Sequence, residues 1–354
     1  MRSLLIALLS LMTMAGLAAS SSAKMLPPFS PRSPSDFAIG KECAAPPAPV
    51  VNLKVISKYG NDGPERDTVD PEADRAFQAQ MAPIRAFSQT VVKMANRYTE
   101  HGGAADARCA LTWLRAWAEG QALSRMDNPN AEFERAQILA GLGMALIQIS
   151  PAVEGDARLA SVTKWMAELA TSTDTFFGAT RDKLRGSRNN HAYWAALASA
   201  AVAVAADDRK LLDWAVETYK AGVRGATAQG GLPLELARGK KAREYHLFAL
   251  NALVPVAAFA EANGIPAYNV CDGALHKIVH FTLQSIANPA TMTAAAGKAQ
   301  EPFPKGLPPA QSVAFLELYH RAFPGTAPME PQLLALRPFI ATNLGGNQTL
   351  LYGR

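Results

Sequence analysis

The stretch from Asp70 to Tyr98, DPEADRAFQAQMAPIRAFSQTVVKMANRY, decides the fold. Asp70 can accept a hydrogen bond from the free N–H groups of a first helical turn, and Pro71 suits that turn because it has no N–H to satisfy. Beyond it Phe77, Met81, Ile84, Phe87, Val91 and Met94 return every three or four residues, which places them on one face of a helix. The same spacing continues almost to the end of the chain and predicts further helices near Ala104–Ala122, Ala131–Ile149, Ala157–Thr171, His191–Ala205, Arg209–Arg224, Leu234–Asn263, Gly273–Ala287, Ala310–Phe323 and Pro331–Thr342, after a first one over Pro71–Tyr98. No alternating apolar and polar run is long enough for a sheet. Short links holding Gly, Asn or Asp join these segments, so the expected class is all-α, built of antiparallel helix hairpins.

Upstream of Asp70 the pattern changes. From Lys24 to about Asp67 the chain is rich in Pro and Gly, including Pro27-Pro28 and Ala44-Ala45-Pro46-Pro47-Ala48-Pro49, and should run extended over the domain surface. Lys58-Tyr59-Gly60-Asn61-Asp62-Gly63-Pro64-Glu65-Arg66 has the composition of a mobile loop over a site, with the charged tip Glu65-Arg66. Further upstream, Arg2, the apolar run Leu4–Ala19 and Ser21-Ser22-Ala23 read as a secretory signal cleaved near Ala23. The expectation is therefore a signal peptide, 1–23, and one catalytic domain, 24–354, whose residues 24–70 form arm and lid, in a protein that is periplasmic or secreted. No later apolar stretch reads as a membrane span.

Of the 354 residues, 49% are hydrophobic and 18% charged, which excludes a disordered chain, while 35 Lys+Arg against 30 Asp+Glu leave a modest basic surplus. That surplus is not interleaved in a nucleic-acid-binding motif, so nucleic acid is not an expected partner and an acidic polymer is. A monomer is expected. In an oxidising compartment two of Cys43, Cys109 and Cys271 can pair; a Cys43–Cys109 bond would tie the arm to an apolar helix and leave Cys271 free and buried, although connectivity is not readable from sequence.

Two segments carry candidate chemistry. Arg188-Asn189-Asn190-His191-Ala192-Tyr193-Trp194 puts two amides and an imidazole at a helix start, beside Arg181, Lys183, Arg185 and Arg188. One Asn can simply cap the helix; equally, the helix end and the cations can receive an anion. Gly230 to His246 holds Pro233, Arg238, Lys241 and Tyr245, with Arg238 and Tyr245 two turns apart on one face of the expected helix and Lys241 on a neighbouring azimuth. Nearby cations would favour the phenolate and make Tyr245 a usable base; the plainer reading is a solvated basic face.

Asn-Asn-His-x-Tyr-Trp, followed some fifty residues later by Leu-Pro-x-Glu-Leu-x-Arg-x-x-x-Ala-x-x-Tyr-His, resembles polysaccharide lyase family five, the periplasmic or secreted alginate lyases that cleave mannuronate-rich polymer. The likeness extends to Ser57-Lys58-Tyr59 and Cys109-Ala110-Leu111-Thr112-Trp113. It implies an incomplete α/α toroid with a deep groove. It further implies that Asn190 and Arg238 neutralise the uronate carboxylate, that His191 and Tyr245 handle protons at C5 and O4, and that Lys58 and Tyr59 belong to a lid. Ala192 and Leu247 stand where the family often has Ser and Asn, at the expected edge of the site, and bear on substrate preference.

The chemistry needs such groups. A hydrogen alpha to a carboxylate is poorly acidic because negative charge must build there as an enolate, so an amide donor and a bidentate cation aimed at it lower the barrier. A phenol on the shared face can take the C5 proton and then protonate O4. Arg66, Arg188 and Lys241 are expected to meet acidic substrate, and Trp113, Tyr193 and Trp194 to offer faces to sugar rings. No cofactor and no metal are expected: His276 and His280 lack a third ligand, and Asp67, Asp70, Glu72 and Asp74 straddle a proline. A glycosidase would need a carboxylate pair; neither motif holds a convincing one, which leaves only carboxylates brought together from elsewhere in the fold. The expected activity is a metal-independent syn β-elimination on acidic polyuronates. Polymannuronate leads, and glucuronate polymers such as polyglucuronate and hyaluronan are further candidates. The rival is a non-catalytic polyuronate-binding protein on the same scaffold.

Overall fold

Thirteen α-helices account for most of the described residues, 24–35, 43–60 and 65–353 of a computed structural model. In chain order they are α1 (Pro71–His101), α2 (Ala104–Glu119), α3 (Pro129–Val153), α4 (Ala157–Thr180), α5 (Asn190–Ala206), α6 (Arg209–Arg224), α7 (Pro233–Leu236), α8 (Ala242–Ala262), α9 (Ala274–Ala287), α10 (Pro289–Ala296), α11 (Phe315–Ala322), α12 (Glu330–Leu334) and α13 (Gln348–Tyr352). The opening helix starts as its sequence dictates, with the Asp70 side chain accepting from the Ala73 N–H at 2.7 Å.

The helices form two concentric layers. The inner succession α1, α3, α5, α8 and α11 packs side by side, and α2, α4, α6 and α9 lie outside it in the same order. This explains two kinds of helix. α6 is amphipathic, with Leu211, Leu212, Ala215 and Tyr219 inward, as an outer helix must be, whereas α5 is buried nearly all round. Its alanines let neighbours approach closely: a Cβ on Gly143 of α3 would stand 3.0 Å from the Ala201 Cβ. α3 and the segment Gly239–Ala262 are long and apolar enough to cross a bilayer, contrary to the sequence expectation, but 78% of each window is buried inside the fold, where they serve as core helices. One continuous hydrophobic core runs from Met25 to Tyr352.

The gap between α11 and α1 is bridged by α13 and by the strand pair β3 (Ile340–Ala341) and β4 (Gly346–Asn347), so the last expected helix, Pro331–Thr342, is confined to α12. The described parts of the arm are pinned at several points. Met25 N–H donates to Asp207 Oδ1 at 3.0 Å, and β1 (Asn52–Leu53) pairs in parallel with β2 (Arg125–Met126). Cys43 and Cys109 are disulfide-bonded, while Cys271 is free and exposed rather than buried, in the turn before α9. The expected signal peptide lies outside the described residues, as do the lid residues 61–64.

Candidate active site

α5 and α8 lead into the wall of one cavity of about 620 Å³, which collects His191, Trp194, Arg238 and Tyr245 with Lys58, Tyr59 and Arg66 of the lid. α5 begins at Asn190, with Asn189 as its cap: the Asn189 side chain accepts from the His191 N–H at 3.1 Å. The capping reading of that pair therefore falls to Asn189, and the Asn190 side chain turns away from the cap to Glu235. The His191 ring stacks on Phe133, 4.1 Å between centroids and 9° between planes. Burial, then Arg238 and Arg66, push its imidazole down to about 3, so it stands neutral.

Arg238 does not occupy a helix face. The expected helix Leu234–Asn263 is interrupted after α7 by a left-handed Gly239 (φ +58) and a 3₁₀ turn, Gly239–Lys241, before α8 begins. The fold of that break, and not a two-turn repeat, lays the Arg238 guanidinium on the Tyr245 ring, 3.7 Å from its centroid. Lid and floor meet at the same point. Tyr59 and Tyr245 share a hydrogen bond between hydroxyls at 2.5 Å, and Arg238 donates to the Arg66 carbonyl at 2.8 Å. The described flanks of the expected lid are joined by Gly60 N–H to Thr68 O and Asp70 N–H to Lys58 O, and Glu65 makes an ion pair of 2.6 Å with Lys298. Lys58 and Lys241 place their ammonium groups 5.5 and 5.9 Å from the Tyr59 ring.

Cations do not make Tyr245 a ready phenolate here. Burial and the Tyr59 hydroxyl raise its ionisation well above the ordinary value, and Arg238 only partly opposes them. With the Tyr59 hydroxyl bonded to it, Tyr245 is a phenol.

Several expected contacts are elsewhere. Trp113 donates its indole N–H to the Ala44 carbonyl at 2.8 Å and packs beneath the arm, and Tyr193 is buried against Gly222 of α6. Arg188 is exposed and does not line the cavity, and Ala192 and Leu247 are buried behind it rather than at its edge. Asn190 is fully buried one layer back, its side-chain and backbone N–H groups both bonded to Glu235. Sequence reasoning passed over Glu235, whose only signal was its place in the second motif, and also Phe133 and Glu134, whose approach to the cavity depends on how α3 packs. Glu134 lines the cavity with its carboxyl pushed up by burial, against the pull of Arg85 and Lys58. His246, the partner of Tyr245 in the motif, is structural: Nε2 accepts from Leu232 N–H at 2.8 Å, so Nδ1 carries the proton shared with the Ala242 carbonyl at 2.7 Å. His276 bonds the Tyr319 hydroxyl at 2.7 Å, and among the described residues no three His, Cys, Asp or Glu side chains gather as a metal site.

Buried polar atoms without a partner are rare in folded proteins. Seven side-chain atoms among the described residues are of this kind, and four belong to Asn190 (Oδ1), His191 (Nδ1), Trp194 (Nε1) and Arg238 (Nε). Hydrogen-bonding capacity is therefore concentrated where the cavity meets α5 and the Arg238 break, as a polar ligand requires.

Known proteins share this architecture. A family model described as alginate lyase matches residues 30–292. An alginate lyase of Pseudomonas entomophila (strain L48) is 32% identical over 318 residues, covering 88% of this chain and 85% of that protein. One from Azotobacter vinelandii is 31% identical over 337 residues, covering 93% and 89%. Among solved structures, alginate lyase A1-III from Sphingomonas species A1 superposes with a TM-score of 0.74 at 22% identity, covering 89% of this chain and 88% of that one. A variant of alginate lyase A1-III complexed with a tetrasaccharide gives 0.77 at 21% identity, covering 90% and 88%. The two-layered helical ring is thus an α/α toroid, and the chain belongs to the alginate lyase family of polysaccharide lyases.

Proposed function

We propose that this protein is an exported lyase that cleaves mannuronate-rich alginate by a metal-independent syn β-elimination, leaving a 4,5-unsaturated uronate at the new non-reducing end. The observation that carries the reading is the meeting of Arg238, Tyr245 and His191 on one cavity, where His191 Nδ1, Trp194 Nε1 and Arg238 Nε lack partners. Arg238, with Asn190 behind it, receives the uronate carboxylate and stabilises the charge that builds on it as C5 loses its proton. Substrate entering between lid and floor takes the place of the Tyr59 hydroxyl, which removes one cause of the raised Tyr245 ionisation and leaves Arg238 to favour the phenolate. His191, neutral and with Nδ1 unpartnered, is the acceptor for the phenolic proton, and the arriving carboxylate offsets the Arg238 and Arg66 charges that suppress its basicity.

The phenolate then takes the C5 proton, and the C5–H electron pair becomes the C4–C5 double bond. The C4–O4 bond breaks, and Tyr245 gives the proton to O4. His191 returns its own proton to Tyr245, which closes the cycle with atoms and charge balanced. In β-D-mannuronate the C5 hydrogen and O4 lie on one face of the ring, so a single phenol serves both. Glucuronate polymers, including polyglucuronate and hyaluronan, keep that arrangement and are the second substrate class; L-guluronate inverts C5 and D-galacturonate inverts C4. Acid, base and charge neutraliser are all side chains. Purified protein mixed with alginate should therefore generate the ultraviolet-absorbing unsaturated end at the same rate with and without a chelator. No such product, or a rate restored only by added calcium or zinc, would contradict the reading.

A further inference from the structure

Glu235 is a carboxylate with no exposed surface, in a four-residue helix beside a site that must receive another carboxylate. Both of its oxygens are used on one residue. Oε1 accepts the Asn190 backbone N–H at 2.8 Å, and Oε2 accepts the Asn190 side-chain Nδ2 at 2.9 Å, across 45 positions of sequence. Asn190 is the first residue of α5, so its backbone N–H is one of the donors that a helix start leaves unmatched. The Asn189 side chain serves the next one, and Glu235 serves this one from another element.

The side-chain bond does something the backbone bond does not. An amide presents a donor at one end and an acceptor at the other, while an ionised carboxylate only accepts. Glu235 therefore selects one of the two orientations of the Asn190 amide: NH₂ turned to Glu235, and Oδ1 left without a partner. One N–H of Nδ2 is engaged by Glu235. Burial pushes the Glu235 carboxyl up to about 7, against the two Asn190 hydrogen bonds and the nearby Arg238 and Arg185, all of which favour the anion.

We propose that Glu235 is a positioning residue for the elimination: by gripping Asn190 at backbone and side chain, it fixes the orientation in which the Asn190 amide meets the uronate carboxylate. The inference rests on the lyase reading above for its functional consequence, and on the two hydrogen bonds for its geometry. A glutamine at 235 keeps the volume but offers one acceptor and one NH₂. With its oxygen on the backbone N–H, its NH₂ faces the Asn190 side chain and inverts that amide.

Glu235→Gln should lower kcat on polymannuronate by about 10²-fold, as misorientation of a positioning group does, with KM and thermal midpoint nearly unchanged. In an Asn190→Ala background the same change should lower kcat no further, because Glu235 acts through Asn190. Unchanged kcat in Glu235→Gln, or an equal loss in both backgrounds, overturns the proposal. Should Glu235→Gln fail to fold, Glu235→Asp keeps two acceptor oxygens set back by one methylene and should lose about tenfold, again only when Asn190 is present. Side-chain amide NMR signals of Asn190 in asparagine-labelled protein give a readout independent of turnover. They should be protected from exchange in the parent and shifted in Glu235→Gln, and unshifted signals overturn the grip itself. A parent that cleaves no uronate polymer while its Asn190 signals behave as expected would sink the lyase reading and leave the grip standing.

Discussion

His246 has no exposed surface and His191 is half-buried at the cavity wall, yet both are held neutral, pushed down to about 4 and about 3, chiefly by the loss of solvent. Their surroundings then part. His246 has a partner on each ring nitrogen and pins the Leu232 loop to α8, whereas His191 lies flat on Phe133 at the cavity wall with Nδ1 unmatched. Loss of solvent acts on both rings alike; what sets His191 apart is unspent hydrogen-bonding capacity. The same contrast separates Trp194, whose indole N–H is free beside the cavity, from Trp113, whose indole N–H is spent on the arm.

The contrast can be broken by experiment. The largest effect is expected at Tyr245: Tyr245→Phe keeps the ring and removes the proton carrier, so turnover should fall by about 10³-fold with polymer binding little changed. Near-normal turnover would remove Tyr245 from the reaction. Next, His191→Ala should cost about 10²-fold in kcat and leave the fold intact, while His246→Ala should lower the urea midpoint and leave kcat per folded molecule unchanged. Equal kinetic losses at both positions would erase the distinction.

A third test uses pH. The unfolded chain protonates both histidines below about pH 6.5, but the folded one resists until about 4 and 3, so between those values the unfolded state binds more protons. The contribution of these two rings should be full above pH 6.5 and decline as pH falls below it, so the gap in urea midpoint between the parent and His191→Ala should shift against the parent from pH 6.5 to 4. A gap that does not change with pH would show that the His191 ring is not held neutral. The smallest effect is expected at the lid, where Lys58→Ala leaves Tyr59 on Tyr245 and should reduce turnover on long polymer about threefold, less than loss of a proton-transfer group. Parent-like kinetics would make residues 58–70 a connector only.

Much of this architecture was legible because local rules and the final fold agree. Asp70-Pro71 opens α1 as its residue types require, and the all-round apolar helices and the amphipathic ones sort into inner and outer layers. The contact between Arg238 and Tyr245 was anticipated for a reason that does not hold. Helical spacing suggested it, but a left-handed Gly239 that periodicity cannot reveal produces it. Trp113 and Tyr193 could not be placed from sequence, since the same residue type serves a core or a groove depending on which neighbour arrives. The ionisation of Tyr245 is raised first by burial and then by Tyr59, 186 positions away, so counting nearby cations gave the wrong sign. Glu235 escaped notice because its importance lies in what it holds.

The most direct test of the proposed chemistry compares initial rates of unsaturated-end formation on polymannuronate and polyguluronate with one preparation of the unmodified protein. One phenol on one face of the ring requires polymannuronate to be cleaved rapidly and polyguluronate poorly. Polyguluronate cleaved as fast or faster would mean that the C5 proton and O4 are served from opposite faces, and would contradict Tyr245 as the carrier of both protons.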